Sequence, residues 1–198
     1  MLKSELRKIY LEKRNELSAS ELADLSGRIA ELFFESIDLS SVTNLHTFIR
    51  IRKFNEIDTS MIYYKLWRDL VHLRTFAPRM DFDAGEIETV EFAEDTELIE
   101  SAWGIREPAG DKTVDASELD LVIVPLLAFD KLGYRVGYGK GFYDKLLSKC
   151  RADCLKIGLS YFPPVDEIAD VAEHDMRLDF CLTPEEIFTA EAQKRRDN

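Results

Sequence analysis

The segment DLVIVPLLAFDKLGYRVGYGKGFYDKLL, residues 120–147, constrains the fold of this chain more than any other. It opens on Asp120–Pro125, a compact β-rich run that suits a strand buried on both faces. A turn at Asp130–Gly133 and the glycine-rich stretch Gly133–Gly141 follow, and Phe142–Cys150 then reads as helix. Gly137, Gly139 and Gly141 permit positive φ and close backbone approach. Successive N–H groups there can line a concave anion nest at the start of a helix. Arg135 and Lys140 bracket that nest, and Asp144 stands in the first helical turn, where it could hold a phosphate-bound Mg²⁺.

The segment matches neither of two common phosphate loops. A P-loop needs Gly at 134 and Ser or Thr at 141, where Tyr134 and Gly141 stand; a Rossmann loop starting at Gly137 fails at Phe142. Spacing alone serves a structural turn as well as a phosphate cradle. The flanking cations and Asp144 favour the ligand.

The remaining pattern alternates helix and strand. Residues 2–17 predict a helix with an apolar stripe of Leu2, Leu6, Ile9 and Leu17. Ser18 with Glu21 forms a capping box for a second helix carrying Leu22, Leu25, Ile29, Leu32 and Phe33. Asn44–Ile51 reads as extended, Asp58 or Thr59 caps a helix running to Leu70, and His72–Ala77 and Gly85–Phe92 read as strands. Leu155–Tyr161 and Asp179–Leu182 are further strands, and Thr183, Pro184 and Glu186 predict the start of a last helix. The alternation predicts an α/β three-layer sandwich around a mainly parallel central sheet flanked by helices. With 198 residues, one domain over 1–198 is expected.

The first helix places Lys3, Arg7, Tyr10 and Arg14 on one narrow face beside the apolar stripe. Taken alone, that face reads as solvated surface, with Glu12 and Glu16 as partial compensation. The whole chain carries 26 Lys and Arg against 38 Asp and Glu, a formal charge of −12. Such a surface disfavours duplex nucleic acid and anionic membranes as partners, while leaving room for a small anion at a local basic site. Asp81–Ser101 holds nine acidic residues and no basic one, and reads as a solvated face around one strand. Cys150, Cys154 and Cys181 form no CxxC pair and read as reduced thiols of a cytoplasmic protein. His46 and His72 read as packing residues and His174 as structural. The charged N-terminus has no signal-peptide core.

In combination these segments resemble the 5-formyltetrahydrofolate cyclo-ligase family. The carrying residues are KSELR at 3–7, Arg14, NEIDT at 55–59, APR at 77–79, WGIREP at 103–108, VPLLAFDKLGYRVGYGKGFYD at 124–144 and EHDMRLDFCLT at 173–183. The resemblance implies ATP- and Mg²⁺-dependent closure of 5-formyltetrahydrofolate to 5,10-methenyltetrahydrofolate, releasing ADP and phosphate. It implies that Lys3, Arg7 and Arg14 meet the ATP phosphates or their surroundings, and that Arg135, Gly137, Gly139, Lys140, Gly141 and Tyr143 enclose the nucleotide. Lys140 would stand nearest the transferred phosphoryl group, with Arg135 as a second catalytic cation. Asp144 and Asp175 resemble the Mg²⁺ ligands. Glu56 would bind the pterin, with Ile51, Tyr138, Phe142 and Trp103 lining the folate site. Leu126 after Pro125, and the 161–173 stretch, depart from the family pattern. The same nest could instead serve a phosphotransferase acting on another small acceptor, or a non-catalytic sensor of a phosphorylated metabolite. The sequence sets no oligomeric state.

Overall fold

The computed structural model describes residues 1–101 and 104–190. Its helices are α1 (Lys3–Glu16), α2 (Ala19–Ser36), α3 (Ser60–Asp69) and α4 (Phe142–Lys149). The strands are β1 (Asn44–His46), β2 (Arg74–Asp81), β3 (Glu86–Glu91), β4 (Leu98–Glu100), β5 (Arg106–Pro108), β6 (Leu121–Pro125), β7 (Ala128–Phe129), β8 (Arg135–Val136), β9 (Leu155–Leu159), β10 (Phe180–Leu182) and β11 (Ile187–Thr189). Seven of them form one sheet in the order β11-β10-β9-β6-β1-β2-β3. The five central strands are parallel, and an antiparallel strand closes each edge.

β6 sits at the centre, as its composition predicts: Leu121, Val122, Ile123 and Val124 are each 0% exposed. Their side chains alternate between two cores. Leu121 and Ile123 pack with Ile29 and Phe33 of α2 and Leu66 of α3. Val122 and Val124 pack with Leu146 and Leu147 of α4. A satellite core joins Leu6 and Tyr10 of α1 to Leu127 and Val136.

The order of the strands positions the site. The chain starts at β1 in the interior, adds β2 on one side, then crosses back to lay down β6, β9 and β10 on the other. Connections leaving the carboxyl ends of β1 and β6 therefore diverge, and a crevice opens where the winding reverses.

Several local expectations change in the fold. Thr183 starts no helix: its Oγ1 accepts from the Glu185 and Glu186 N–H groups, while its own N–H donates to Glu186 O at 3.0 Å. The same capping chemistry closes a tight turn, and Ile187–Thr189 returns as β11 against β10. Phe188 there meets Phe129 edge-on at 5.5 Å, so the β-favouring IFT run gains a sheet edge and an aromatic contact. The extended segment at 44–51 is a strand only to His46; Phe48, Ile49 and Ile51 beyond it line the crevice. Of the expected α1 stripe, Leu6 is buried and Ile9 and Leu17 pack partly buried against the cores, while Leu2 is exposed; Tyr10 and Arg14 are buried as well. His72 is exposed in the turn before β2 rather than packed. The acidic stretch does surround an edge strand, β3, where Arg79 and Arg74 pair with Glu88 and Glu91. Among the described residues no helix is long and apolar enough to cross a membrane.

Candidate active site

A cleft of about 580 Å³ occupies the crevice at the carboxyl ends of the strands. Phe48, Ile49 and Ile51 enter it after β1, Pro78 and Met80 at the end of β2, and Pro125 at the end of β6. The 137–144 stretch follows the β7–β8 hairpin, and His174 and Asp175 precede β10. In a chain of charge −12 this cleft gathers five cations, Lys3, Arg7, Lys53, Arg135 and Lys140, against three carboxylates.

The glycine loop is built from its turn outward. Asp130 Oδ1 accepts the N–H groups of Leu132 and Tyr134, both at 3.0 Å, and Oδ2 accepts that of Ile168. The turn thereby aims β8 at the cleft. Gly139 has φ +89°, and a Cβ there would lie 3.1 Å from the Arg7 guanidinium carbon. Gly141 has φ +71° and forms the N-cap of α4. Gly137 does not use the left-handed freedom that the sequence allows it. Its carbonyl instead accepts from Arg7 Nε at 2.9 Å, tying α1 to the loop. The basic edge of α1 and the glycine cradle thus share one cleft. Arg7 Nη1 and Nη2 carry no hydrogen bond to a described residue, and Lys140 has no acidic neighbour within ion-pair distance among them.

Two carboxylates stand behind this basic wall. Asp144 Oδ1 accepts from Arg135 Nη2 at 2.8 Å and from Met176 N at 3.0 Å. Arg135 also donates to Met176 O and is 8% exposed; burial lowers its pKa, and the charges of Asp144 and Asp175 push it back up. Asp175 Oδ2 pairs with the Lys3 ammonium and accepts from Ala172 N. Burial pushes the Asp175 carboxyl up, but those two contacts more than offset it and leave its pKa below the ordinary value. Asp144 Oδ2 and Asp175 Oδ1 carry no hydrogen bond from a described residue. Two carboxylates that each keep a free oxygen on one cleft fit a divalent cation whose other ligands are water and phosphate.

Apolar side chains supply much of the remaining lining. Phe48, Ile49, Phe54, Met80, Phe82 and Ile105 line the cleft together with Ile51 and Phe142. Phe54 stacks on Tyr138 at 4.8 Å. Glu56, 4% exposed, lies among them: Oε2 accepts from Ile51 N at 2.6 Å and Oε1 from Tyr138 Oη at 2.7 Å. Burial raises the Glu56 pKa above its ordinary value, and the two hydrogen bonds and the Arg14 charge offset only part of that rise. Tyr143 also lines the cleft, its hydroxyl 3.4 Å from Nε2 of His46. Burial pushes His46 down to about 3, so it is neutral and serves packing.

Of the residues singled out by sequence, the cleft collects Lys3, Arg7, Ile51, Glu56, Arg135, Gly137, Tyr138, Gly139, Lys140, Gly141, Phe142, Tyr143, Asp144 and Asp175. Trp103 lies outside the described residues. Arg14 is placed apart from the others, 2% exposed and behind Tyr138 rather than on the cleft surface. Sequence reasoning missed Phe48, Ile49, Phe54, Met80, Phe82 and Ile105. These are apolar residues from separate segments, with no local signal to distinguish them from core.

A switch-point crevice lined by a basic glycine loop and by aromatic side chains around a buried carboxylate defines an α/β protein with a cleft both cationic and apolar. Comparison with known proteins sharpens that class. The model of the 5-formyltetrahydrofolate cyclo-ligase family matches residues 1–184, and the chain belongs to this family of enzymes. The 5-formyltetrahydrofolate cyclo-ligase of Escherichia coli K12 is 31% identical over 153 residues, covering 74% of this chain and 82% of the relative. The mouse cyclo-ligase is 29% identical over 139 residues, covering 65% of this chain and 68% of its own. The 5,10-methenyltetrahydrofolate synthetase of Aquifex aeolicus superposes with TM-score 0.81 at 28% identity, covering 100% of this chain and 97% of that one. The synthetase from Mycoplasma pneumoniae gives 0.75 at 26% identity, covering 93% and 100%.

Proposed function

We propose that this enzyme converts 5-formyltetrahydrofolate and ATP to 5,10-methenyltetrahydrofolate, ADP and phosphate within this cleft. The observation that carries the reading is the convergence of Lys3, Arg7 and the 137–141 loop in one cavity with Glu56 and an apolar, aromatic lining. The ATP phosphates lie against the glycine cradle, with the free Nη groups of Arg7 and the Lys140 ammonium as donors. The pterin lies against Ile51, Tyr138 and Phe142, where Glu56 accepts its N–H donors.

The formyl carbon is a poor electrophile because N5 donates electron density to it, and its oxygen is a poor leaving group. Transfer of the γ-phosphoryl group onto that oxygen breaks the bond to ADP and makes an activated imidate phosphate. N10 then attacks the formyl carbon, the C–O bond breaks, phosphate departs with the former formyl oxygen, and N10 gives up its proton. No protein nucleophile is needed. The chain supplies alignment of both substrates and cations set where charge moves during the transfer. Lys140, with no ion-pair partner among the described residues, is assigned to the transferred group, and buried Arg135 holds Asp144 in place. Asp144 and Asp175 would hold a Mg²⁺ ion, which when bound draws charge from the phosphate oxygens. The three free thiols suit a reducing compartment such as the cytoplasm.

Purified protein given 5-formyltetrahydrofolate, ATP and Mg²⁺ is expected to accumulate methenyltetrahydrofolate absorbance. Lys140→Ala should cut kcat by about 10²–10³-fold, the size seen for loss of one transition-state donor, with a smaller change in folate KM. Folded protein that forms no product beside an active control would reject the activity. Wild-type turnover in Lys140→Ala would remove that residue from its role.

A further inference from the structure

Arg14 is the one cation of the expected basic face that turns into the protein. Its Nη2 donates to Leu126 O and its Nη1 to Tyr138 Oη at 3.2 Å. Its carbonyl accepts from Asn55 Nδ2 at 3.2 Å, one residue before Glu56. Among the described residues no carboxylate lies within ion-pair distance of the guanidinium. A buried cation without a direct counter-charge is costly, so the arrangement calls for an anion close by. Glu56 is that anion, one hydroxyl away: the Tyr138 Oη that accepts from Arg14 donates to Glu56 Oε1 at 2.7 Å.

We propose that Arg14 is a positioning residue that favours the carboxylate form of Glu56 through the Tyr138 hydroxyl, fixing its acceptor oxygens in the cleft. The inference rests on the reading of Glu56 as the pterin acceptor. It removes Arg14 from the phosphate subsite. Because Tyr138 belongs to the glycine loop, one relay joins α1, the nucleotide cradle and the folate carboxylate.

The other groups around Glu56 do not substitute for Arg14. Tyr138 and Tyr143 are phenols that burial keeps protonated, and Tyr161 donates its hydroxyl to the Glu56 carbonyl at 3.2 Å. Arg50 is paired with Asp58 at 3.0 Å, and Lys53 stands on the cleft wall. Without Arg14, burial acts on Glu56 unopposed by a neighbouring positive charge and draws a proton onto it.

The test is the pH dependence of KM for each substrate. Arg14→Met should raise the 5-formyltetrahydrofolate KM about tenfold at neutral pH, the cost of one charge-assisted hydrogen bond, and leave the ATP KM within about twofold. As pH is lowered, its folate KM should begin to climb at a higher pH than that of the wild type, because losing the positive charge raises the Glu56 pKa further. Arg14→Lys restores the charge and should restore the wild-type profile, which also covers a poorly folding methionine variant. In a Glu56→Gln background, Arg14→Met should add no pH dependence. A raised ATP KM with unchanged folate KM would return Arg14 to the phosphates and overturn the proposal. Equal, pH-independent losses in both backgrounds would overturn it as well. Absence of cyclising activity in the wild type would strike the functional reading instead. Side-chain ¹³C NMR of Glu56 in wild-type and Arg14→Met protein would then decide the relay by itself, an unmoved titration rejecting it.

Discussion

Gly137 and Gly139 are two residues apart in one loop, yet they meet different demands. Gly139 has φ +89° and leaves its Cβ direction to the Arg7 guanidinium, whereas nothing lies within 4 Å of a Cβ on Gly137. Gly139→Ala should therefore cost about 1–2 kcal/mol of stability from left-handed strain alone and raise the ATP KM by moving Arg7. Gly137→Ala should change stability by less than about 0.5 kcal/mol. Thermal melts and ATP titrations of the two variants check this; equal losses would refute the distinction. At this scale much of the site was legible in sequence. The glycine loop, Arg135, Lys140 and Asp144 are contiguous, so their meeting needs little more than a turn. Arg14 was not legible in this way. Helical spacing puts it on the face of Lys3 and Arg7, and only the position of the cleft decides that the first two emerge there while Tyr10 and Arg14 are submerged.

At the scale of elements, α1 is fastened to the far side of the cleft by two kinds of contact. Its N-terminal N–H donates to Asp170 Oδ1 at 2.7 Å, and Lys3 pairs with Asp175. The Asp175 pKa is depressed, so the stability this contact provides is present above the unfolded-state value of about 3.9 and is lost as pH falls through the lower folded value. Asp175→Asn should be less stable than wild type at neutral pH and converge with it in acid, as urea unfolding across pH would show. Parallel pH profiles would contradict this. Elements with strong local patterns, β6 and the first three helices, were foreseeable. The Thr183 turn was not, because an N-cap and a tight turn use the same side-chain oxygen. The choice fell to an edge strand waiting for a partner and to Phe129 waiting for Phe188.

For the molecule as a whole, two cores share the thin sheet between them, and β9 shows how little slack remains. A Cβ on Gly158 would come within 2.6 Å of both Leu126 Cδ2 and Leu178 Cδ1 and 3.2 Å of Cys181 Sγ. Gly158→Ala should thus lose about 1–3 kcal/mol by overpacking, read as a lower urea midpoint at unchanged slope. A midpoint equal to wild type would show that the layers can part. The same packing brings Phe48 and Phe54 of the β1–α3 connection, Met80 of β2 and Ile105 before β5 onto one cleft. Each resembles core in the sequence because an apolar side chain bears no mark of whether its neighbour is protein or ligand.

The order of residues alone determined the buried central strand, the alternating layers and the glycine-rich loop, since each is written within one or two turns of chain. The reversal of strand order between β1 and β6 decided everything that depends on distance: where the crevice opens, which basic residues face it, and how Glu56 comes within one hydroxyl of Arg14. Hydrogen bonds and charges act over a few ångströms, and residues 14, 56 and 138 come that close only after the sheet has closed around them.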